Sequence, residues 1–256
     1  MKDMYSLEGK VATITGGSRG IGEGISQAFA AMGCDVVLVA RNQERIDGAV
    51  NEITGEFGTK ALRISLDIRE EEAIIGMVQQ VSKAFGRIDI LVNNAGINIR
   101  KMPQDYQVSE WDEVLETNLR SPFLSSRAVY PYMRKVGGGK IINIGSMLSI
   151  FGGAKLAAYS ASKGGIVQLT RSLAVAWAPD NIQVNAILPG FIDTDLTRQA
   201  RKDINGLYEH VILRTPAGRW GEPRDLAGVA VFLASNASDF LTGVALPVDG
   251  GFSINL

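Results

Sequence analysis

The sequence predicts an α/β fold: one doubly wound parallel sheet of about seven strands with helices on both faces. Two patterns carry this. Short β-branched runs alternate with helix-period stretches from residue 11 to residue 248. The strand candidates are apolar almost throughout rather than alternating, as expected where a parallel sheet is covered on both sides. A chain of 256 residues suits an α/β fold built as one unit, so residues 1–256 are read as a single domain.

The elements follow in order. Residues 11–15 (VATIT) form the first strand, with a helix near 21–32. Residues 35–40 (DVVLVA) are the second strand, and a polar helix covers 43–56. A third strand at 60–65 precedes a helix near 70–85, and a fourth lies at 88–92. A long helical region at about 109–136 holds Pro122 and Pro131, which should bend or break it. Residues 140–144 are the fifth strand, 157–178 a helix and 181–188 the sixth strand. A helix near 224–234 and a strand at 244–248 complete the set. The crossovers should be right-handed. The stretch from Gly190 to about Glu222 reads as irregular and is too long for an ordinary connection, which suggests a substrate loop.

Composition removes several function classes. Lysine and arginine number 26 against 27 aspartates and glutamates, a net charge of −1. That balance gives no electrostatic reason to expect nucleic acid or membrane as a partner. Cys34 is the only cysteine and reads as a small buried hydrophobe. With His210 the only histidine, a zinc site would lack its usual ligands. Residues 1–10 contain no apolar leader core, and no run is long enough to cross a bilayer. A cytoplasmic location is expected.

The turn after the first strand, Thr15-Gly16-Gly17-Ser18-Arg19-Gly20-Ile21-Gly22, opens a helix. Glycines there let a pyrophosphate approach the backbone, and the helix N-terminus offers free N–H groups and a positive dipole end. This is dinucleotide chemistry at the switch point of a Rossmann-type sheet, although the G-x-x-x-G-x-G spacing departs from the usual G-x-G-x-x-G. A structural glycine turn is the competing reading. The second strand ends in Ala40-Arg41-Asn42, without the acidic residue that usually holds a ribose 2′-hydroxyl. Arg41, with Arg19 in the turn, suits a 2′-phosphate, so NADP(H) is expected to be preferred, with NAD(H) the other cofactor it could take.

Tyr159 and Lys163, at i and i+4 near a helix start, share a face. A lysine ammonium and the positive nicotinamide of an oxidised cofactor should lower the phenol's pKa and make it a usable acid and base. Ser146 ends the fifth strand, where ligands bind in this architecture. Asn118 falls within a helix, an unfavourable place unless its amide faces solvent or has a buried task.

The segments Thr15–Gly22, Asn93-Asn94-Ala95-Gly96, Asn118, Ser146, Tyr159 with Lys163, and Pro189-Gly190, in this order and spacing, resemble the short-chain dehydrogenase/reductase family over essentially the whole chain. The resemblance implies that Tyr159 transfers a proton and Ser146 orients the substrate oxygen. Lys163 would tune Tyr159 and bind the nicotinamide ribose, and Asn118 would hold a relay water. Gly16, Ser18, Arg19, Gly20, Ile21 and Gly22 would cradle the pyrophosphate, with Arg41 and Asn42 beside them. Asp67 and Ile68 would flank the adenine, and Asn94, Ala95 and Gly96 would line the cleft. Ile192 and Thr194, after Pro189 and Gly190, would meet the carboxamide. A homotetramer is implied as well.

For the substrate, Arg100, Lys101, Lys155, Arg198, Arg201, Lys202, Arg214 and Arg219 suggest a polar, anionic small molecule. Solvated surface charges balanced by Asp195, Asp203 and Glu209 are the bland alternative. Within the family the sequence is most similar to sugar-acid dehydrogenases of the gluconate 5-dehydrogenase and 2-deoxy-D-gluconate 3-dehydrogenase type. A 3-oxoacyl-(acyl-carrier-protein) reductase is the runner-up. A non-catalytic NADP(H)-binding sensor would have no use for the full Tyr159, Lys163, Ser146 and Asn118 set.

Overall fold

The computed structural model describes residues 4–255. Residues 1–3, at the head of the segment read as having no leader, and Leu256 lie outside the described residues. Strands β1 (Val11–Thr15), β2 (Asp35–Ala40), β3 (Ala61–Ser65), β4 (Ile90–Asn93), β5 (Gly139–Ile144), β6 (Ile182–Pro189) and β7 (Ala245–Val248) form one sheet. Its order is β3-β2-β1-β4-β5-β6-β7, with every pairing parallel. The chain winds outward in both directions from the β1/β4 pair, so a crevice opens there at the carboxyl ends of the strands.

The apolar strands work because alternate residues face opposite layers. Val36 and Leu38 of β2 join one core with Phe29 of α1 (Gly20–Ala31), Ile46 of α2 (Gln43–Phe57) and Leu233 of α9 (Pro223–Ala234). Val37 and Val39 join the other, with Ile74 of α3 (Glu71–Phe85), Val129 of α5 (Ser121–Lys135) and Leu173 of α6 (Ala157–Trp177). Each such fully buried side chain contributes roughly 1.5–3 kcal/mol. Local signals set the helix ends: Asn42 Oδ1 accepts from the Arg45 N–H at 2.9 Å to cap α2, and Gly58, at φ 69°, closes it. Cys34 is fully buried, and burial is the main cause pushing its thiol pKa up, which makes it inert.

The structure corrects two sequence expectations. The long helical region does not break at its prolines. It runs as α4 (Val108–Leu115), a π-helical turn (Glu116–Arg120) and then α5. Pro122 stands just after the π-helical turn, where the regular ladder is already interrupted, and α5 continues through Pro131. Pro131 and Arg127, whose carbonyl loses its donor, are both exposed, so water can replace the missing bond. The stretch 190–222 is also not irregular. It folds into α7 (Asp195–Asp203) and α8 (Leu207–Arg214), and each helix buries only one residue, Ala200 and Val211 respectively. So narrow a buried stripe leaves little apolar periodicity to read.

Among the described residues, no helix is long and apolar enough to cross a membrane.

Candidate active site

A cleft of about 1020 Å³ runs across the carboxyl ends of β1, β4, β5 and β6. Glycines and an asparagine clamp build its floor. Asn94 Nδ2 donates to the carbonyls of Thr15 and Gly16, at 3.0 and 3.1 Å. Thr15 Oγ1 accepts from the backbone N–H groups of Asn94 and Ala95 at 3.0 and 3.1 Å. This approach requires glycine: a Cβ on Gly22 would lie 2.2 Å from the Gly16 oxygen, and Gly16 has φ +66°. Beyond the turn, Ser18, Arg19, Gly20 and Ile21 line the cleft at the start of α1. Thr194 leans over from the other side, its Cγ2 3.2 Å from where a Gly20 Cβ would stand. A close-approach turn feeding a helix N-terminus fits a dinucleotide pyrophosphate.

At one end of the cleft, Arg41 and Asn42 line the wall beside Asp67 and Ile68. Arg41 forms no ion pair among the described residues; its charge acts on Asp67, whose carboxylate is held low chiefly by its hydrogen bond to Arg69. Sequence reading missed Arg45, which also lines this end. Its backbone N–H donates to the Asn42 cap of α2, but its side-chain partner is remote. Asp195 receives both Arg19, at 3.1 Å, and Arg45, at 3.3 Å.

At the other end the candidate catalytic side chains converge. Tyr159 and Lys163 lie in the early turns of α6, and Ser146 follows β5. Ser149, unremarked in the sequence, ties them together: its hydroxyl accepts from the Ser146 N–H at 3.2 Å and donates to the Lys163 carbonyl at 2.7 Å. Lys163, buried, donates from Nζ to the Ile144 carbonyl at 2.6 Å, and its Nζ lies 5.7 Å from the Tyr159 ring centroid. Desolvation pushes its ammonium down to about 8. At the Tyr159 phenol two effects oppose each other. Burial raises the phenol, and the groups that draw it back are the Ser146 hydroxyl and the Arg100 charge.

Asn118 sits in the π-helical turn with its amide engaged. Oδ1 accepts from the Ile97 N–H at 2.9 Å, and Nδ2 donates to the Ile97 carbonyl at 2.9 Å and to Ser162 Oγ at 3.1 Å. Its main-chain carbonyl is a different matter. Four residues on, where a regular helix would supply a donor, stands Pro122, which has no N–H.

Pro189, Gly190 and Ile192 complete the wall. A Cβ on Gly190 would come within 2.7 Å of the Asp249 Cα, so only glycine lets the chain after β7 pack there. The basic groups expected to face an anion mostly do not. Lys101 pairs with Glu110, Arg198 and Arg201 with Asp193, and Arg219 with Asp225. Neither Lys155 nor Lys202 lines the cleft, whereas Arg100 and Arg214 do. The partners that neutralise the others include Asp193 and Asp225, not the Asp203 and Glu209 proposed from sequence. His210 is exposed on α8.

A glycine turn at a switch point, facing a tyrosine, lysine and serine across one cleft, defines a nicotinamide-dependent oxidoreductase working between CH–OH and C=O. The chain belongs to the short-chain dehydrogenase/reductase family: a family model described as enoyl-(acyl carrier protein) reductase matches residues 16–253. It is 43% identical to 2-dehydro-3-deoxy-D-gluconate 5-dehydrogenase of Escherichia coli (strain K12), over 97% of both chains. It is 39% identical to gluconate 5-dehydrogenase of Gluconobacter oxydans (strain 621H), over 99% of this chain and 98% of that one. Its fold matches the crystal structure of a gluconate 5-dehydrogenase from Burkholderia cenocepacia J2315 in complex with NADP and tartrate, with a TM-score of 0.94 and 37% identity, over 100% of this chain and 99% of that one.

Proposed function

We propose that the protein is a sugar-acid oxidoreductase that uses NADP(H), interconverting an alcohol and a ketone of the gluconate/ketogluconate type. The observation that carries this is the convergence of Ser146, Tyr159 and Lys163 at one end of a cleft whose other end holds Arg41 and Arg45. The names of its relatives point to the same substrate class.

Gly16, Ser18, Arg19, Gly20, Ile21 and Gly22 would hold the pyrophosphate. Arg41, which forms no ion pair among the described residues, would meet the 2′-phosphate, and Asn42, Asp67 and Ile68 the adenosine. Asn94, Ala95, Gly96, Pro189, Gly190, Ile192 and Thr194 would line the nicotinamide end. The bound nicotinamide supplies the hydride. Ser146 and Tyr159 hold the substrate oxygen, and their hydroxyls stabilise the developing alkoxide. Tyr159 gives its proton to that oxygen in reduction and takes one in oxidation. Lys163, its ammonium brought down to about 8 by burial, replenishes the phenol's proton. Asn118 joins the relay through its main-chain carbonyl, which could carry a water between Lys163 and solvent.

The whole chain, 1–256, acts as one dinucleotide-binding and catalytic domain, with residues 190–222 as the substrate loop. It works in the cytoplasm as a homotetramer. In support of assembly, Val108, Phe123 and Val175 leave apolar side chains exposed on helices α4, α5 and α6.

The test is a spectrophotometric screen of D-gluconate, 5-keto-D-gluconate, deoxygluconates and acetoacetyl thioesters with each cofactor. Turnover of a sugar acid is expected, with kcat/KM higher for the phosphorylated cofactor. Arg41→Ala should lower kcat/KM for NADPH by about tenfold or more, one to two charge-assisted hydrogen bonds, and change NADH little. Activity on thioesters alone would favour the acyl-carrier-protein reading. Cofactor binding with no turnover of any of these would favour a sensor.

A further inference from the structure

The sequence offers a spread of basic residues for an anionic substrate, and the structure singles out Arg214 among those in the late segment. Arg198, Arg201 and Arg219 are spent on Asp193 and Asp225. Arg214, the last residue of α8, lines the cleft and forms no ion pair among the described residues. Its guanidinium carbon lies 4.5 Å from the centre of the Phe252 ring. Its Nε is buried without a hydrogen-bond partner. A guanidinium with one edge desolvated and no counter-ion among the described residues is costly, and a bound carboxylate would relieve that cost.

Several contacts hold it in place. Asn255 Nδ2 donates to the Arg214 carbonyl at 2.8 Å, and the Ala217 N–H donates to the Gly250 carbonyl at 3.0 Å. The C-terminal tail therefore fixes both the arginine's backbone and the ring beneath it. Phe252 belongs to the same buried cluster as Met147, the neighbour of Ser146, so Arg214 stands one aromatic ring away from the catalytic end. Arg100 lines the same cleft, and its charge acts on the Tyr159 phenol.

We propose that Arg214, laid over Phe252, is the carboxylate anchor of the substrate pocket and sets its preference for a sugar acid over the matching polyol. This rests on the sugar-acid reading above. Phe252 and Asn255 act as positioning residues.

The experiment compares wild type, Arg214→Met, Arg214→Lys and Arg100→Met on D-gluconate and sorbitol with NADP⁺. It also titrates tartrate and threitol into the NADP⁺-loaded proteins by calorimetry. Arg214→Met is expected to lose at least about tenfold more kcat/KM on gluconate than on sorbitol, and at least about tenfold in tartrate affinity. Arg214→Lys should recover part of both, since a point charge remains but the planar fork does not. Equal losses on acid and polyol, unchanged tartrate affinity, or selective loss in Arg100→Met alone would overturn the assignment. If wild type oxidises no sugar acid, the sugar-acid reading fails by itself. The calorimetry then decides on Arg214: a weakened tartrate titration supports a carboxylate site, and an unaltered or absent one refutes it. If Arg214→Met does not fold, Arg214→Lys and Phe252→Leu carry the same comparison.

Discussion

Tyr159→Phe is expected to lower kcat by at least ~10²-fold, the usual scale of general acid–base help, while leaving NADPH affinity close to that of wild type. In the proposed mechanism the phenol hydroxyl exchanges a proton with the substrate oxygen, and removing it leaves the glycine turn and Lys163 in place. The loss should fall on kcat and kcat/KM together, as when an interaction made only in the transition state is deleted. The pH profile gives a second reading. Burial holds the phenol protonated, and Ser146 and Arg100 pull the other way. Alcohol oxidation needs the phenolate, so its kcat/KM should rise with pH and level off above the phenol's pKa in the complex. Carbonyl reduction needs the phenol and should fall over the same range. Tyr159→Phe should flatten both limbs. Stopped-flow rates in each direction across pH, with NADPH binding followed by fluorescence, would check this. Near-normal turnover in the variant would remove Tyr159 from the mechanism.

Gly22→Ala is the second large effect. The added Cβ would stand 2.2 Å from the Gly16 oxygen, 2.5 Å from Asn94 Nδ2 and 2.8 Å from the Gly16 carbonyl carbon. Two of these are backbone atoms, so the turn itself must shift and the Asn94 clamp must open. Overpacking of this kind costs roughly 1–3 kcal/mol, which for a chain of this size lowers Tm by about 2–12 °C. Binding should suffer more than stability, because the displaced turn is the surface against which a pyrophosphate would lie. A loss of about tenfold or more in NADPH affinity is expected, one to two charge-assisted hydrogen bonds. Gly48→Ala is the control: it lies in α2 with nothing within 4 Å of its Cβ, and should be neutral or slightly stabilising. Calorimetry on both variants would test the pair, and wild-type NADPH affinity in Gly22→Ala would contradict the close-approach account.

The fold was legible because a sheet buried on two faces writes itself as nearly continuous apolar runs, and β2, apolar from Val36 to Ala40, shows this plainly. The late segment was not, because α7 and α8 each bury a single residue and so carry almost no apolar period. The π-helical turn was equally hidden. Nothing in Glu116–Arg120 announces it, although Pro122 marks where the regular ladder loses a donor. In the site, residues that act through local geometry were readable: the glycines, and Tyr159 with Lys163 one helical turn apart. Long-range pairings were not. Asp195 with Arg19 and Arg45, Asn94 across the turn, and Phe252 under Arg214 join residues far apart in sequence. The late arginines misled for another reason: Arg198, Arg201 and Arg219 looked like ligands for an anion but pair with aspartates close by in the chain, Asp193 and Asp225.

The central claim is that hydride passes between a nicotinamide and a sugar-acid carbon held beside Tyr159. The most direct measurement is isotope transfer. The protein is incubated with 5-keto-D-gluconate and NADPH deuterated on the face of the nicotinamide ring from which hydride leaves, and the product is read by NMR. Deuterium on the carbon that was the ketone, and none when Tyr159→Phe is used over the same time, is the predicted result. NADPH bound but never consumed, or consumed without deuterium reaching that carbon, would contradict it.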